Sequence, residues 1–226
     1  MSKTYSIAID GPAGAGKSTI AKRLAAELGY MYVDTGAIYR TVAYFFDLWG
    51  VAPKDIDGIS RYIDELTVGI EYDENGLQHM IMNGMDVTDD IRTQDISQKA
   101  SLISAHAIVR EMLLDMQRDV AKRHNVIMDG RDIGTVVLPQ ADLKIFLTAT
   151  AEARAQRRYI EQIGKGMDVT YEQVLEGMRV RDLQDSTRAA APLKPADDAV
   201  FVDSTDMNLQ QTIDHIRDIA KERLGV

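Results

Sequence analysis

The chain has 226 residues, with 26 Lys and Arg against 35 Asp and Glu, which gives a formal net charge of −9 at neutral pH. This acidic balance disfavours a general nucleic-acid or anionic-membrane binder, because such affinity depends on clustered positive charge. Cysteine is absent, so disulfides, thiolate metal sites and cysteine nucleophiles are excluded. No apolar run approaches the roughly 18 residues of a membrane-spanning helix, and no apolar leader follows Met1, so a cytoplasmic enzyme is expected.

Strand-like and helical patterns alternate along the first part of the chain. Residues 5–10 form a short apolar run that ends in Asp and Gly, which predicts a buried strand. Apolar residues at helical spacing follow from Lys17 to Leu28, and Gly29 stands where a helix would end. The next predicted elements are a strand at 30–34 and helices at 37–49 and 55–66.

Short strand-like segments then replace this pattern. They are divided by Asn75-Gly76 and Asn83-Gly84, dipeptides that favour tight hairpin turns, so a small antiparallel insert is expected. The helical spacing at 93–123 is long enough to predict two helices or one kinked helix. The predicted strands are 68–72, 78–82, 85–87, 126–129, 143–147 and 200–202, and the later predicted helices are 151–163, 171–183 and 209–224.

The alternation of strands and helices predicts an α/β fold, a parallel sheet covered on both faces by helices. No internal repeat or linker divides the sequence, so one domain spanning 1–226 is expected. Within it, a core carries the glycine-rich turn at 11–18.

That turn fits the phosphate-loop pattern of Gly, four free positions, Gly, Lys and Ser. Glycines let backbone N–H groups converge on phosphate oxygens, the following helix offers its positive end, and Lys17 adds a cation. Ser18 is expected to supply its hydroxyl to Mg²⁺, and the guest is expected to be a triphosphate such as ATP. The residues predicted to bind it are Gly11, Pro12, Ala13, Gly14, Ala15, Gly16, Lys17, Ser18 and Thr19.

A phosphate loop alone leaves kinases, switch GTPases and motor ATPases open. The sequence has no guanine-reading Asn-Lys-x-Asp segment and is short for motor machinery, which favours small-molecule phosphoryl transfer. Two arginines follow strand ends, Arg40 in the segment 34–40 and Arg131 in the segment 129–134, where open α/β sheets bind ligands. They are candidates for holding a phosphate, although an exposed helix arginine and a surface turn pair explain them equally well.

Five segments together resemble the bacterial cytidylate kinases, in the order that this family has. They are 9–18 (IDGPAGAGKS), 34–40 (DTGAIYR), 91–93 (IRT), 129–137 (DGRDIGTVV) and 181–193, which includes RAAAPL. The block at 129–137 is far more specific than the phosphate loop. The resemblance covers residues 5 to about 205.

The resemblance implies transfer of a phosphoryl group from ATP, with Mg²⁺, to CMP or dCMP. It also implies a nucleoside monophosphate kinase fold with a five-stranded parallel sheet flanked by helices, a monophosphate-binding part with the antiparallel insert at about 35–110, and a helical lid at about 154–188. By the same resemblance, Thr35, Arg40 and Arg131 would hold the acceptor phosphate, Ser101, Arg110 and Asp132 would read cytosine, Arg181 and Asp185 would hold the sugar, and Arg188 would reach a phosphate. Thr35 departs from the family's common Ser but keeps the hydroxyl.

Three further arginines, Arg154, Arg157 and Arg158, share one face of a predicted helix, where like charges repel. One explanation is a solvent-exposed face on which Glu161 reduces part of this repulsion. The functional alternative is that they close over the phosphates when both substrates are bound. The residues predicted to act in catalysis are then Lys17, Arg131, Arg154, Arg157, Arg158 and Arg188.

Two rival functions remain open. Another phosphate-loop kinase would act on UMP, AMP or a small metabolite such as shikimate. A nucleotide-dependent RNA-associated protein would use the basic stretches 154–158 and 179–188, although Asp182 and Asp185 interrupt the second. The preferred interpretation has only small-molecule partners, CMP and dCMP, with no nucleic acid or membrane partner, and expects a monomer.

Overall fold

The structure is a computed structural model that describes residues 4–225. The chain divides into two compact units, and it passes from the first to the second within one strand. The first unit comprises the chain up to residue 32 and from residue 124 onward, and the second comprises 33–123. The predicted lid at 154–188 lies in the first unit, and the predicted part at 35–110 lies in the second. The single-domain organisation remains a prediction.

A five-stranded sheet forms the centre of the first unit. Its strands are β1 (Ser6–Asp10), β2 (Met31–Asp34), β6 (Val126–Gly130), β7 (Leu143–Thr148) and β8 (Val200–Asp203). Their order in the sheet is β2-β6-β1-β7-β8, with β1 pairing in parallel with β6 and β7, and β7 with β8. The central strand β1 is therefore flanked by strands from much later in the chain, which brings the loops that follow β1 and β6 side by side.

Helices pack against this sheet through apolar faces. One core cluster joins Ile9 of β1 and Leu147 of β7 to Leu24 of the first helix and Ile216 of the last, all buried. Burial of each such side chain contributes roughly 1.5–3 kcal/mol. The helices of this unit are α1 (Lys17–Leu28), α6 (Ala151–Gly164), α7 (Tyr171–Thr187) and α8 (Leu209–Leu224).

The second unit is helical with a small antiparallel sheet of three strands. Its elements are α2 (Thr35–Leu48), α3 (Ile56–Tyr62), β3 (Val68–Tyr72), β4 (Gln78–Met82), β5 (Met85–Asp86), α4 (Gln94–Ile103) and α5 (Ala107–Arg123). The strand order of this sheet is β3-β4-β5. Asn83 and Gly84 both have positive φ, 50° and 80°, and they form the two-residue turn between β4 and β5 that their sequence predicts.

The predicted α/β fold, five-stranded parallel sheet and antiparallel insert are confirmed. The helical stretch at 93–123 is two helices that break at residues 104–106, so Ser101 and Arg110 lie on different helices. The π-helical turn at Ile133–Val137 and the extension of α7 to Thr187 were not predicted. Within residues 4–225, no helix has the length and apolar character needed to cross a membrane.

Candidate active site

The phosphate loop lies between the end of β1 and the start of α1, as the motif requires. Gly11 has a φ of +149°, and a Cβ there would overlap the carbonyl oxygen of Leu147 on β7. Gly16 has a φ of +87° and caps α1, which begins at Lys17. Glycine is required at both positions, because other residues are strained at such φ values. The loop therefore presents the amino end of α1, the part of a helix that favours anions.

Lys17 is buried, and its Nζ donates to the carbonyl oxygen of Pro12 at 2.8 Å. Burial lowers the pKa of Lys17 well below its ordinary value, and Arg131 lowers it further, although Asp129 opposes them. The cation expected at this position thus contacts the backbone of the phosphate loop. A bound phosphate would favour its charged form.

Ser18 in the first turn of α1 is joined to the end of β6. Its Oγ donates to Oδ2 of Asp129 at 2.8 Å, and the hydroxyl of Tyr32 donates to Oδ1 of the same carboxylate at 2.7 Å. Asp129 is itself buried. Asp129 has no role predicted from the sequence, although an acid near the end of the strand beside β1 is the signal that could have identified it.

Asp10 ends β1 and is also buried. Its carboxylate accepts backbone N–H groups from Ile133 at 2.8 Å and Gly134 at 2.7 Å. Burial raises the pKa of Asp10 to about 6, because the two N–H groups offset only part of the desolvation of the charge. Asp10 is a second residue of this site to which the sequence analysis gave no role.

Two helices from the predicted lid pack against the phosphate loop. A Cβ on Gly14 would lie 2.7 Å from Cε of Met178 on α7 and 3.4 Å from Cβ of Arg154 on α6. Arg154 donates to the carbonyl oxygen of Ala13 at 2.9 Å and pairs with Asp182 of α7 at 2.6 Å. Arg154 is buried and joins the loop, α6 and α7.

The other two arginines of α6 have different surroundings. Arg157 donates to Oγ of Ser204 at 3.2 Å and to the carbonyl oxygen of Met207 at 3.3 Å. Arg158 is more exposed and pairs with Glu161 at 2.8 Å, the contact that their spacing predicts and that reduces the repulsion among the arginines. Although the three arginines are spaced along one helix, their guanidinium groups contact different parts of the first unit. Their catalytic roles remain predictions.

Two ion pairs connect the loop after β6 to the end of α7. Nε of Arg131 lies 2.8 Å from Oδ2 of Asp185, and Nη2 of Arg188 lies 3.4 Å from Oδ1 of Asp132. Burial raises the pKa of Asp185, but Arg131, Arg181 and Arg188 together hold it below its ordinary value. Five of the predicted acceptor-binding residues thus form one charged cluster in the first unit.

The second unit holds the remaining predicted residues in two groups. In the first, Asp34 caps α2 by accepting from the N–H of Ala37 at 2.8 Å, and its other oxygen pairs with Nη2 of Arg40 at 2.9 Å. Thr35, the first residue of α2, is buried. The carboxylate therefore fixes both the start of the helix and the direction of the arginine.

The second group centres on Arg110 of α5, which is buried. Its guanidinium lies 5.3 Å from the ring centroid of Tyr39 on α2, and its Nη1 donates to the carbonyl oxygen of Ser104 at 3.0 Å. Oγ of Ser104 donates in turn to the carbonyl oxygen of Ser101 at 2.9 Å. Arg110 is held against an aromatic face by a cation–π contact. Tyr39 lies in the segment 34–40 that resembles the family, but no role was predicted for it.

The parallel sheet, the phosphate loop after its central strand and the charged cluster beside that loop define a phosphate-loop kinase. The chain belongs to the cytidylate kinase family, since the family model "Cytidylate kinase" matches residues 7–222. A cytidylate kinase from Exiguobacterium is 45% identical over 222 residues, which cover 98% of this chain and 99% of the relative. One from Caldicellulosiruptor bescii is 47% identical over 217 residues and 96% of each chain.

Solved structures agree with the fold at a much lower level of sequence identity. An uncharacterised protein from Eubacterium ventriosum aligns with a TM-score of 0.51 and 14% identity, over 98% of this chain and all of the other. At this identity the likeness supports the fold alone. Family membership therefore rests on the sequence matches.

Proposed function

We propose that the protein transfers the γ-phosphoryl group of ATP to CMP or dCMP, giving ADP and CDP or dCDP. Membership of the cytidylate kinase family over residues 7–222 supports this reaction. The single structural observation that carries it is the position of Arg131 and Asp132 beside the phosphate loop. Asp10 and Gly130 are paired in register on β1 and β6, so the loops that follow them start next to each other.

The donor triphosphate would lie along the phosphate loop, with the backbone N–H groups of 11–18 and the amino end of α1 directed at its oxygens. Lys17 would exchange its bond to Pro12 for the phosphates. Because the loop excludes water from Lys17, its positive charge would attract the phosphate oxygens more strongly than it would in water.

Magnesium fits the oxygen groups at the start of α1. Ser18 offers a hydroxyl and Asp129 a carboxylate, and Mg²⁺ is usually held by one or two protein oxygens together with water and substrate phosphates. When bound, the ion would neutralise phosphate charge. No cluster of three or more His, Asp or Glu suited to a metal occurs in the part of the chain that the structure describes.

The acceptor roles implied by the family are also proposals. Asp132 is a carboxylate suited to the exocyclic amine of cytosine, and uracil would present a carbonyl oxygen to it instead. An unpaired buried polar group costs about 1–3 kcal/mol, and more when it is charged, which favours cytosine by roughly fivefold to a hundredfold or more. The proposed contacts are Thr35, Arg40 and Arg131 to the phosphate, Ser101, Arg110 and Asp132 to the base, Arg181 and Asp185 to the sugar, and Arg188 to a phosphate.

Binding would rearrange one of the two ion pairs. Arg188 faces Asp132 at 3.4 Å, longer than a charge-assisted hydrogen bond, whereas Arg131 lies 2.8 Å from Asp185. Both side chains of the longer pair are buried, so the base and a phosphate would have to replace the contact that each one loses. Opening of this pair would release Asp132 for the base and Arg188 for a phosphate.

The chemical step needs no general base, because the attacking oxygen belongs to an ionised phosphate. The protein's contribution is to align the two nucleotides and stabilise charge on the transferred group, with Lys17, Arg131 and Arg188 as the cations of this cluster. Closure of the lid helices α6 and α7, with Arg154, Arg157 and Arg158, would exclude water from the donor.

The cellular setting follows from the substrates. ATP and nucleoside monophosphates are charged metabolites of the cytoplasm, so we place the enzyme there, in pyrimidine nucleotide metabolism. That the protein is a monomer and that it has no nucleic-acid partner remain predictions from the sequence.

An acceptor panel tests the proposal. ADP release from ATP and Mg²⁺ is followed in a coupled assay with CMP, dCMP, UMP, AMP or shikimate as the acceptor. The proposal predicts rapid release with CMP or dCMP and little with the others. Comparable rates with UMP, or release that needs no acceptor, would contradict it.

A further inference from the structure

Asp10 joins the phosphate loop to the loop after β6. It directly precedes Gly11, the first residue of the phosphate loop. Its Oδ1 accepts the N–H of Ile133 at 2.8 Å, and its Oδ2 accepts the N–H of Gly134 at 2.7 Å. Both oxygens of this buried carboxylate therefore hold backbone from a distant part of the sequence.

The two N–H groups that Asp10 accepts open the π-helical turn at Ile133–Val137. The first N–H groups of a helical turn have no partner inside it, so an acceptor from elsewhere stabilises the turn. Arg131 and Asp132 lie just before this turn and just after β6, which ends at Gly130. This dipeptide is thus anchored on one side by the sheet and on the other by Asp10.

We propose that Asp10 is a positioning residue for the acceptor nucleotide. It fixes the backbone that carries Arg131 and Asp132, and through the peptide bond to Gly11 it ties this backbone to the loop that holds the donor. The inference rests on the proposed function, through the acceptor roles of Arg131 and Asp132. Asp10 acts through these residues and needs no contact of its own with substrate.

Asparagine separates this role from simple packing. Asp10→Asn keeps the shape of the side chain but replaces one accepting oxygen with an NH₂ group, which then faces an N–H donor. A matched control is Asp142→Asn. Oδ2 of Asp142 also accepts a backbone N–H across the sheet, from Ser6 at 2.9 Å, but at the start of β1. Both variants weaken a carboxylate anchor, and only one of the anchors adjoins Arg131 and Asp132.

The experiment measures KM for CMP and for ATP in the wild type, in both variants and in Asp132→Asn. We expect Asp10→Asn to raise KM for CMP roughly tenfold or more, as for a lost buried hydrogen bond, and KM for ATP less than about twofold. Asp142→Asn should change neither value. In the Asp132→Asn background, Asp10→Asn should add less than it does alone, because the part of its effect that acts through Asp132 is already lost.

Equal increases in KM for CMP and ATP, or a lowered stability with both KM values unchanged, would overturn the proposal. If Asp132→Asn raises KM for CMP and Asp10→Asn does not, the role of Asp10 fails while the proposed function stands. If Asp132→Asn leaves KM for CMP unchanged, the proposed acceptor site itself fails.

A measurement on the wild type covers the case in which Asp10→Asn does not fold. Amide hydrogen exchange should show the N–H groups of Ile133 and Gly134 protected at least roughly 100-fold in the substrate-free enzyme. Exchange as fast as that of an open loop would show that the anchor does not hold, and it would overturn the proposal.

Discussion

Oγ of Ser18 lies 2.8 Å from Oδ2 of Asp129, so a hydrogen bond joins the hydroxyl at the start of α1 to the carboxylate at the end of β6. The other oxygen of Asp129 is held by the hydroxyl of Tyr32 at 2.7 Å. Both bonds lie within one unit and orient the carboxylate towards α1. The two proposed magnesium-binding groups therefore lie side by side, and Tyr32 supports one of them.

Asp129→Asn should raise the Mg²⁺ concentration needed for half-maximal activity by at least roughly tenfold, because the amide carries no charge to attract the ion. The measurement is a titration of turnover with Mg²⁺ at saturating ATP and CMP. Tyr32→Phe is the control, since it removes only the bond to the far oxygen. An unchanged Mg²⁺ requirement in Asp129→Asn would contradict the assignment.

Lys17→Ala should lower kcat by roughly a hundredfold or more while the protein stays folded, because a preorganised charge beside the transferred group is lost. Turnover and circular dichroism provide the two readouts. Lys22→Ala, at an exposed position on the same helix, should leave kcat unchanged. Near-normal turnover of Lys17→Ala would argue against the phosphate loop as the donor site.

The arginines of α6 should respond differently to truncation. Arg154→Ala removes a buried pair with Asp182 and a bond to the phosphate loop, and it should lower the free energy of unfolding by about 2–3 kcal/mol. Arg158→Ala removes an exposed pair with Glu161 and should change the free energy of unfolding by less than about 0.5 kcal/mol. Urea unfolding measures both values. Equal losses would show that the buried pair stabilises the fold no more than the exposed pair does.

Asp10 should make stability depend on pH. Burial raises its pKa from 3.8 to about 6, so the folded protein binds this proton more tightly than the unfolded chain does. Its contribution to the free energy of unfolding is therefore greatest below about pH 4, falls as the pH rises to about 6, and is constant above that. The full fall corresponds to about 3 kcal/mol.

Urea unfolding of the wild type and Asp10→Asn between about pH 4 and 8 isolates this contribution, since the asparagine does not titrate. The free energy of unfolding of the wild type minus that of the variant should decrease as the pH rises through this window. A difference that grows with pH would mean that the carboxylate is stabilised in its charged form.

Local patterns were sufficient for most of the fold. The helix Lys17–Leu28 follows from its apolar spacing and from Gly29, which ends it with a φ of +68°. The phosphate loop is equally local, because its glycines, lysine and serine occupy consecutive positions. The antiparallel insert was recognisable because Asn83-Gly84 is a turn signal with its own backbone preference.

Other features depend on partners distant in sequence. The apolar residues Ile133–Val137 carry no periodic signal, and their π-helical turn is stabilised by Asp10 from the first strand. Asp185, which pairs with Arg131, likewise lies in the part of α7 beyond its predicted end at Leu183, because the helix continues four residues further to Thr187. Residue types and spacing identify the charged residues of the site, whereas tertiary packing decides which of them pair with each other.

The most direct test follows the phosphoryl group itself. The enzyme is incubated with Mg²⁺, CMP and ATP that is radiolabelled in its γ-phosphate, and the nucleotides are then separated. The account predicts that the label appears in CDP and that its formation matches ADP formed. Label found in inorganic phosphate, with none in CDP, would contradict it.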